Sequence, residues 1–371
     1  MGTTETKTMT RKEIVKDYVY KVSAGISNAV LVALGIGLLF ETIGKFTGIA
    51  EITQIGTMAK LLLAPAFGAG IAYQLGTNTL VLFSSMIAST VGANAVYFTQ
   101  DSVSSITITG HAASQLAGGG IFTTGQPISA VLAGLIAALV GKWLTGKTPL
   151  DMILVPFGSL FIGGISGVLL AYVTTPFLLW LSQMIANSVT ISPIIGSSVV
   201  ALALWIFFIT AAFSFKMTPA SSAALAIALQ LDPVSSAAAL IGCTAQFVGF
   251  TVMSFRENKI GANIAQGLIT PKIQFANLTL HPQMVIPPFI SAVICAPIAT
   301  VIFHFETTYE LAGLGLNSLI APLNLWATNF NGFLTFLLVG VVLSGVISYA
   351  IYYAMIKAGK AKKGNLTIEM Q

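Results

Sequence analysis

Between Asp151 and Lys216 the sequence carries no acidic, basic or histidine side chain. A soluble domain is about one-quarter charged. Here only 8% of 371 residues are charged and 55% are hydrophobic. That is too little charge to cover a water-facing surface, so the chain reads as an integral membrane protein. A membrane span takes roughly 20 apolar residues. The length therefore predicts an all-α polytopic membrane protein with about 8–10 transmembrane helices plus re-entrant half-helices.

The basic residues crowd the two ends. Lys7, Arg11, Lys12, Lys16 and Lys21 lie at one, and Lys357, Lys360, Lys362 and Lys363 at the other. Basic flanks stay on the cytosolic side, so both termini are expected to be cytosolic, which requires an even number of full crossings. The net charge of +5 then reports topology and gives no sign of nucleic-acid binding. Three regions follow: a cytosolic amphipathic N-terminal helix at 1–21, opened by a capping box at Thr10–Glu13; a transmembrane domain at 22–356; and a basic cytosolic tail at 357–371. The first region is not read as a signal peptide, because its basic part is long and the apolar run after it has spanning length.

Spans are expected at about 22–43, 59–75, 79–98, 121–141, 151–185, 196–215, 233–254, 288–305 and 331–356, with residues 44–58 as a loop. Residues 99–120 read as an outer loop or a re-entrant turn. The run 220–231 is bounded by Pro219 and Asp232-Pro233. At roughly 18 Å as a helix it is too short to cross about 30 Å of hydrocarbon, so a re-entrant half-helix is expected. Cys243 and Cys295 sit in apolar runs and read as core residues. Neither a metal-ligand spacing nor a cofactor motif is present.

Gly141–Thr148 matches the phosphate-binding pattern GxxxxGK[ST]. That chemistry needs a buried strand before the loop and a helix after it. Here an Ala/Gly-rich segment of spanning length precedes the pattern and Pro149 follows, so it reads as a loop with two lysines at the membrane surface.

Polar side chains collect in residues 251–325, where glycines and prolines recur every few residues. Between spans, polar groups and broken helices persist where they line a cavity or a solute path. The candidate solute-binding residues, including two from the preceding helix break, are Lys216, Thr218, Arg256, Glu257, Asn258, Gln266, Asn277, His304, Glu306 and Asn317. Glu306 and Glu310 are spaced to share a helix face. As like charges they need a cation, a proton or a basic partner, with Arg256, Lys272 and Lys216 as the candidates.

Ser254–Asn258 (SFREN), Ala265–Gly267 (AQG), Ile286–Pro288 (IPP) and Ala296–Thr300 (APIAT) resemble the stand-alone IIC-type membrane proteins of the bacterial phosphoenolpyruvate–sugar phosphotransferase system, specifically the perfringolysin-regulator-like group. The middle of the chain has a weaker likeness to fructose-type IIC components. The resemblance implies a bacterial plasma-membrane permease for a sugar or similar polar solute. It also implies elevator-type movement, separate soluble phosphoryl-carrier proteins, a homodimer and no bound cofactor. Where fructose-type proteins carry an acidic Gly-Pro-Asn-Lys-like motif, this chain has Phe213–Ser222 without the acid or the Asn-Lys pair. Three readings stay open: a permease coupled to phosphorylation by separate proteins, an uncoupled or ion-coupled carrier on the same scaffold, and a membrane-bound regulator or receptor.

Overall fold

The structure is a computed structural model and describes residues 11–106, 112–115, 117–215 and 226–368. Among these, six helices are long and apolar enough to cross a membrane, or seven if a pair bent by 60° counts as one span. The chain is an all-α polytopic membrane protein with a small β excursion. Three shorter apolar helices account for most of the difference from the expected 8–10.

Helix α1 (Arg11–Ala29) continues through a π-helical stretch (Val30–Ile36) into α2 (Gly37–Thr47). Gly25 faces Gly70 so closely that a Cβ on Gly25 would lie 2.6 Å from the Gly70 carbonyl. The small residues of the first span thus pack inside the chain. Gly48 takes φ +72 and reverses the chain into α3 (Ala50–Leu61). The expected loop at 44–58 is therefore mostly one helical hairpin. Lys45 and Glu51 interrupt its apolar residues, which disguised the period. Helix α4 (Leu63–Gln74) follows the bend, and α5 (Thr79–Gly92) is capped by Asn78, whose side-chain oxygen accepts from the Val81 amide at 3.0 Å.

Two short antiparallel ribbons follow, β1 (Val96–Phe98) with β4 (Gly120–Phe122) and β2 (Val103–Ile106) with β3 (Ala112–Gln115). Helix α6 (Pro127–Leu144) runs through the first half of the phosphate-loop-like pattern. Among its second half, Lys147 sits 3.4 Å from the Trp143 ring centroid, and the Asp151 carboxylate accepts from the Gly146 and Thr148 amides. A helix, not a buried strand, leads directly into the pattern, so it lacks the setting that phosphate binding requires. Helix α7 (Asp151–Ile191) has 41 residues, about 62 Å at 1.5 Å per residue. That is twice the hydrocarbon thickness, so it must tilt steeply or project. Helix α8 (Pro193–Phe215) follows.

The centre of the second half is α9 (Pro233–Ser254). Asp232 caps it, accepting from the Val234 and Ser235 amides at 3.1 Å each, with Pro233 at the first helical position. Its Ala/Ser/Gly composition lets neighbours approach closely. A Cβ at Gly242 would meet Ala201 of α8 at 2.6 Å, and one at Gly249 would meet Pro288 at 2.6 Å. Almost the whole helix is buried, including Cys243, and Cys295 is buried beside it in the same core.

Two broken segments flank α9. The first is α10 (Ile260–Ile264) with a π-helical extension (Ala265–Ile269), then Pro271–Gln274 and α11 (Phe275–Leu280). Thr270 before Pro271 is extended, at φ −165, as the proline ring demands. The second follows α12 (Ile286–Pro297) and its π-helical continuation (Ile298–Ile302). It comprises α13 (Tyr309–Ala312), a short turn (Asn317–Leu319) and α14 (Ile320–Thr328). Helix α15 (Phe330–Thr335), a π-helical stretch (Phe336–Leu343) and α16 (Ser344–Lys357) form the last span.

Candidate functional site

The sequence candidates fall on different levels of α9, which at 22 residues is about 33 Å long. At its C-terminal end the chain turns through Phe255–Asn258 into α10. Asn263 and Gln266, one turn apart, face back toward that turn. Gln266 is fully buried and donates to Ser254 Oγ and to Asn263 Oδ1, at 2.9 Å each. Its own Oε1 accepts from Gln274 Nε2 at 2.7 Å. Gln274, also fully buried, accepts from Asn277 Nδ2 at 2.8 Å. Asn263 Nδ2 donates to the carbonyls of Phe255 and Asn258 at 2.9 and 3.2 Å. The relay ends on the C-terminal segment, where Asn258, Gln274 and Asn277 bond the backbone of residues 366–368. A network so fully satisfied rigidifies its surroundings. It brings Asn258, Gln266 and Asn277 together, but on the chain's own atoms.

Beside it lies a cleft of about 780 Å³ between the ends of α9 and α16. Arg256, Glu257, Tyr349, Tyr352, Tyr353 and Lys363 are among its lining residues. The Tyr352 hydroxyl donates to Glu257 Oε1 at 3.2 Å. Glu257 Oε2 is buried with no hydrogen-bond partner among the described residues. A buried carboxylate oxygen left open costs free energy unless a donor reaches it. Carboxylate, guanidinium and phenol rings together form a surface that hydrogen-bonds hydroxyls and packs against C–H faces.

At the opposite end of α9, the Thr307 amide donates to the Pro233 carbonyl at 3.1 Å. The adjoining residues His304 and Glu306 are exposed, so they lie roughly a helix length from Arg256. Glu306 precedes α13, which starts at Tyr309, and the expected shared face with Glu310 does not form. Glu310 instead pairs with Lys60 at 3.3 Å, and Lys60 also pairs with Glu41 at 3.1 Å. The partner comes from α3, at a position expected near the start of the second span, and is neither Arg256 nor Lys272. Asn324 Nδ2 donates to Thr42 Oγ1 at 3.3 Å, a second polar link between this broken segment and the first helices.

Asn317 is buried near the middle, where Gly315 packs against Phe247 and Cys243 of α9. Its Oδ1 accepts from Ser318 Oγ at 2.9 Å. Ser318 and Leu319 follow with φ +50 and +58, two consecutive left-handed residues that are costly without glycine. Lys216 and Thr218 lie outside the described residues. No group of three or more His, Cys, Asp or Glu side chains suited to a metal occurs among the described residues.

Membrane proteins keep broken helices where they are buried in protein or line a cavity, and here two such segments flank a buried helix. A family profile described as "Phosphotransferase system, EIIC" matches residues 20–368. The chain belongs to the phosphotransferase-system EIIC family. No curated protein matches the chain. As an EIIC protein it is a membrane-embedded sugar-transport component whose partners are phosphoryl carriers of that system. Several residues eluded the sequence reading. Tyr349, Tyr352 and Tyr353 looked like part of an ordinary last span. Glu41 and Lys60 sat unremarked near the ends of the first two expected spans. Asn263 and Gln274 were visible as polar groups, but only the turn at Pro271 makes them meet Gln266.

Proposed function

We propose that this EIIC protein is a permease for an uncharged or weakly charged sugar, and that the cleft between α9 and α16 receives it. The observation that carries this reading is the buried, unpartnered Glu257 Oε2 at the wall of a cleft with Arg256 and three tyrosines. A sugar hydroxyl donates to Glu257 and a ring oxygen accepts from Arg256. The tyrosine rings cover the apolar face of the pyranose. The cleft end of the protein carries Arg256, Lys259, Lys357, Lys360, Lys362 and Lys363, which argues by the positive-inside rule that it is cytosolic. A separate phosphoryl-carrier protein reaches the sugar from that side in the bacterial plasma membrane.

Movement is of the elevator type in this reading. The body formed by α9 and its two broken segments shifts against α1–α4, and Lys60–Glu310 and Asn324–Thr42 are the contacts that must be remade. In this reading the protein is a homodimer, with a second copy covering part of the exposed apolar face of α7 that includes Phe157, Phe161, Leu169 and Tyr172 and lipid covering the rest.

The test is a thermal-shift screen of purified protein against sugars, polyols and sugar phosphates, followed by uptake into vesicles with and without phosphoenolpyruvate and carriers. A ligand at 100 times its Kd adds about 2.7 kcal/mol. Glu257→Gln keeps the shape but weakens acceptance of hydroxyl donors, so the shift with the best sugar falls. A sugar that shifts wild type and Glu257→Gln equally places binding elsewhere.

A further inference from the structure

The segment after α16 is docked against the first broken segment by features that no transport site requires. Gly359, at φ +69, reverses the chain, with the Lys360 amide donating to the Met355 carbonyl at 2.9 Å. This is a helix-ending glycine motif. Asn365 then closes a turn by accepting from the Lys362 amide at 2.6 Å. Leu366 enters an apolar pocket and is fully buried with Phe250, Met253, Leu278, Met284 and Met355. The neighbouring residues 362–364 and Thr367 are exposed.

The backbone around Leu366 is read group by group. The Leu366 carbonyl accepts from Asn258 Nδ2 at 3.1 Å and from Gln274 Nε2 at 2.9 Å. The Thr367 carbonyl accepts from Asn277 Nδ2 at 2.9 Å. The Ile368 amide donates to Asn258 Oδ1 at 2.7 Å. Asn258 thus offers one donor and one acceptor to alternate residues, as a neighbouring β-strand would. Main-chain pairing with one side chain in a pocket is the chemistry of extended-peptide recognition.

We infer that Asn258, Gln274 and Asn277 form a peptide-binding site whose ligand is this chain's own segment 366–368, and that its occupancy latches the first broken segment shut. Asn258 precedes α10, whereas Gln274 and Asn277 follow its π-helical extension. The docked segment therefore ties the two ends of the broken unit together. Lys363, three residues before Leu366, lines the cleft, so release of the segment also changes one cleft wall.

The test compares the full chain with a protein ending at Lys363. It measures hydrogen exchange over residues 258–280 and binding of a synthetic peptide of residues 364–371. The shortened protein is expected to exchange faster there and to bind the peptide saturably, while the full chain does not bind it. The added peptide restores slow exchange. A peptide N-methylated at Ile368, lacking the donor to Asn258, binds at least tenfold more weakly. Absence of peptide binding by a shortened protein with a native elution profile and melt overturns the inference, as does equal binding by both proteins. If the shortened protein does not fold, Ile368→Pro in the full chain decides. Faster exchange over 258–280 supports the latch, and unchanged exchange refutes it. These readouts do not involve sugar, so they stand or fall separately from the transport reading.

Discussion

Gln274→Leu should loosen the first broken segment by a predictable amount. In the wild type, Gln274 donates to Gln266 Oε1 and to the Leu366 carbonyl and accepts from Asn277. After substitution, the Leu366 carbonyl keeps Asn258 and Asn277 keeps the Thr367 carbonyl. Gln266 Oε1 keeps nothing, and Gln266 is fully buried. An orphaned buried acceptor costs about 1–3 kcal/mol, and each lost hydrogen bond about 1 kcal/mol. A net loss of about 2–3 kcal/mol makes local opening roughly 30- to 150-fold more frequent, at 1.4 kcal/mol per factor of ten. Hydrogen exchange resolved to residues 260–280 reads that ratio directly. The pair Gln266→Leu with Gln274→Leu removes donor and acceptor together and should recover part of the loss. Unchanged exchange in Gln274→Leu, or a double variant at the sum of the singles, would show that the amide relay does not hold the segment.

Two further outcomes test the packing between the halves and within the first. Lys60→Met leaves Glu41 and Glu310 facing each other without their shared cation, so it should destabilise by about 1–3 kcal/mol in a detergent unfolding titration. Glu310→Gln should cost less because it keeps a hydrogen-bond acceptor. A Lys60→Met variant as stable as wild type would remove the ion triad as a structural link. Gly70→Val puts a branched side chain where α1 and α4 backbones touch, an overpacking worth about 1–3 kcal/mol or more. It should lower the thermal midpoint clearly, whereas Gly146→Asn, at a turn with open space around it and φ +80, should leave it nearly unchanged.

How far the site was legible depends on sequence distance. The polarity of residues 251–325 is a local property, and the cost of polar groups in a bilayer makes it conspicuous. The pairing of Gln266 with Gln274 spans only eight residues, yet it needs the extended Thr270 and the turn at Pro271 to form. The Lys60–Glu310 pair spans 250 residues, and no local pattern encodes it. The Glu306–Glu310 expectation failed because a four-residue spacing defines a shared face only where the backbone is helical. Here the helix starts at Tyr309.

The sequence alone determined that this chain lives in a membrane, because charge is too scarce to cover a soluble surface. It also marked several helix breaks, such as Asp232-Pro233 and Thr270-Pro271, because proline acts on its own neighbours, and its short motifs carried the family likeness. Tertiary structure alone decided what the polar residues do. Amides that looked available for a solute are spent on the C-terminal segment, and Glu257 keeps one carboxylate oxygen open at the cleft wall. The reason is physical: hydrogen-bond partners of buried groups are chosen by three-dimensional proximity, which a one-dimensional pattern of polarity does not contain.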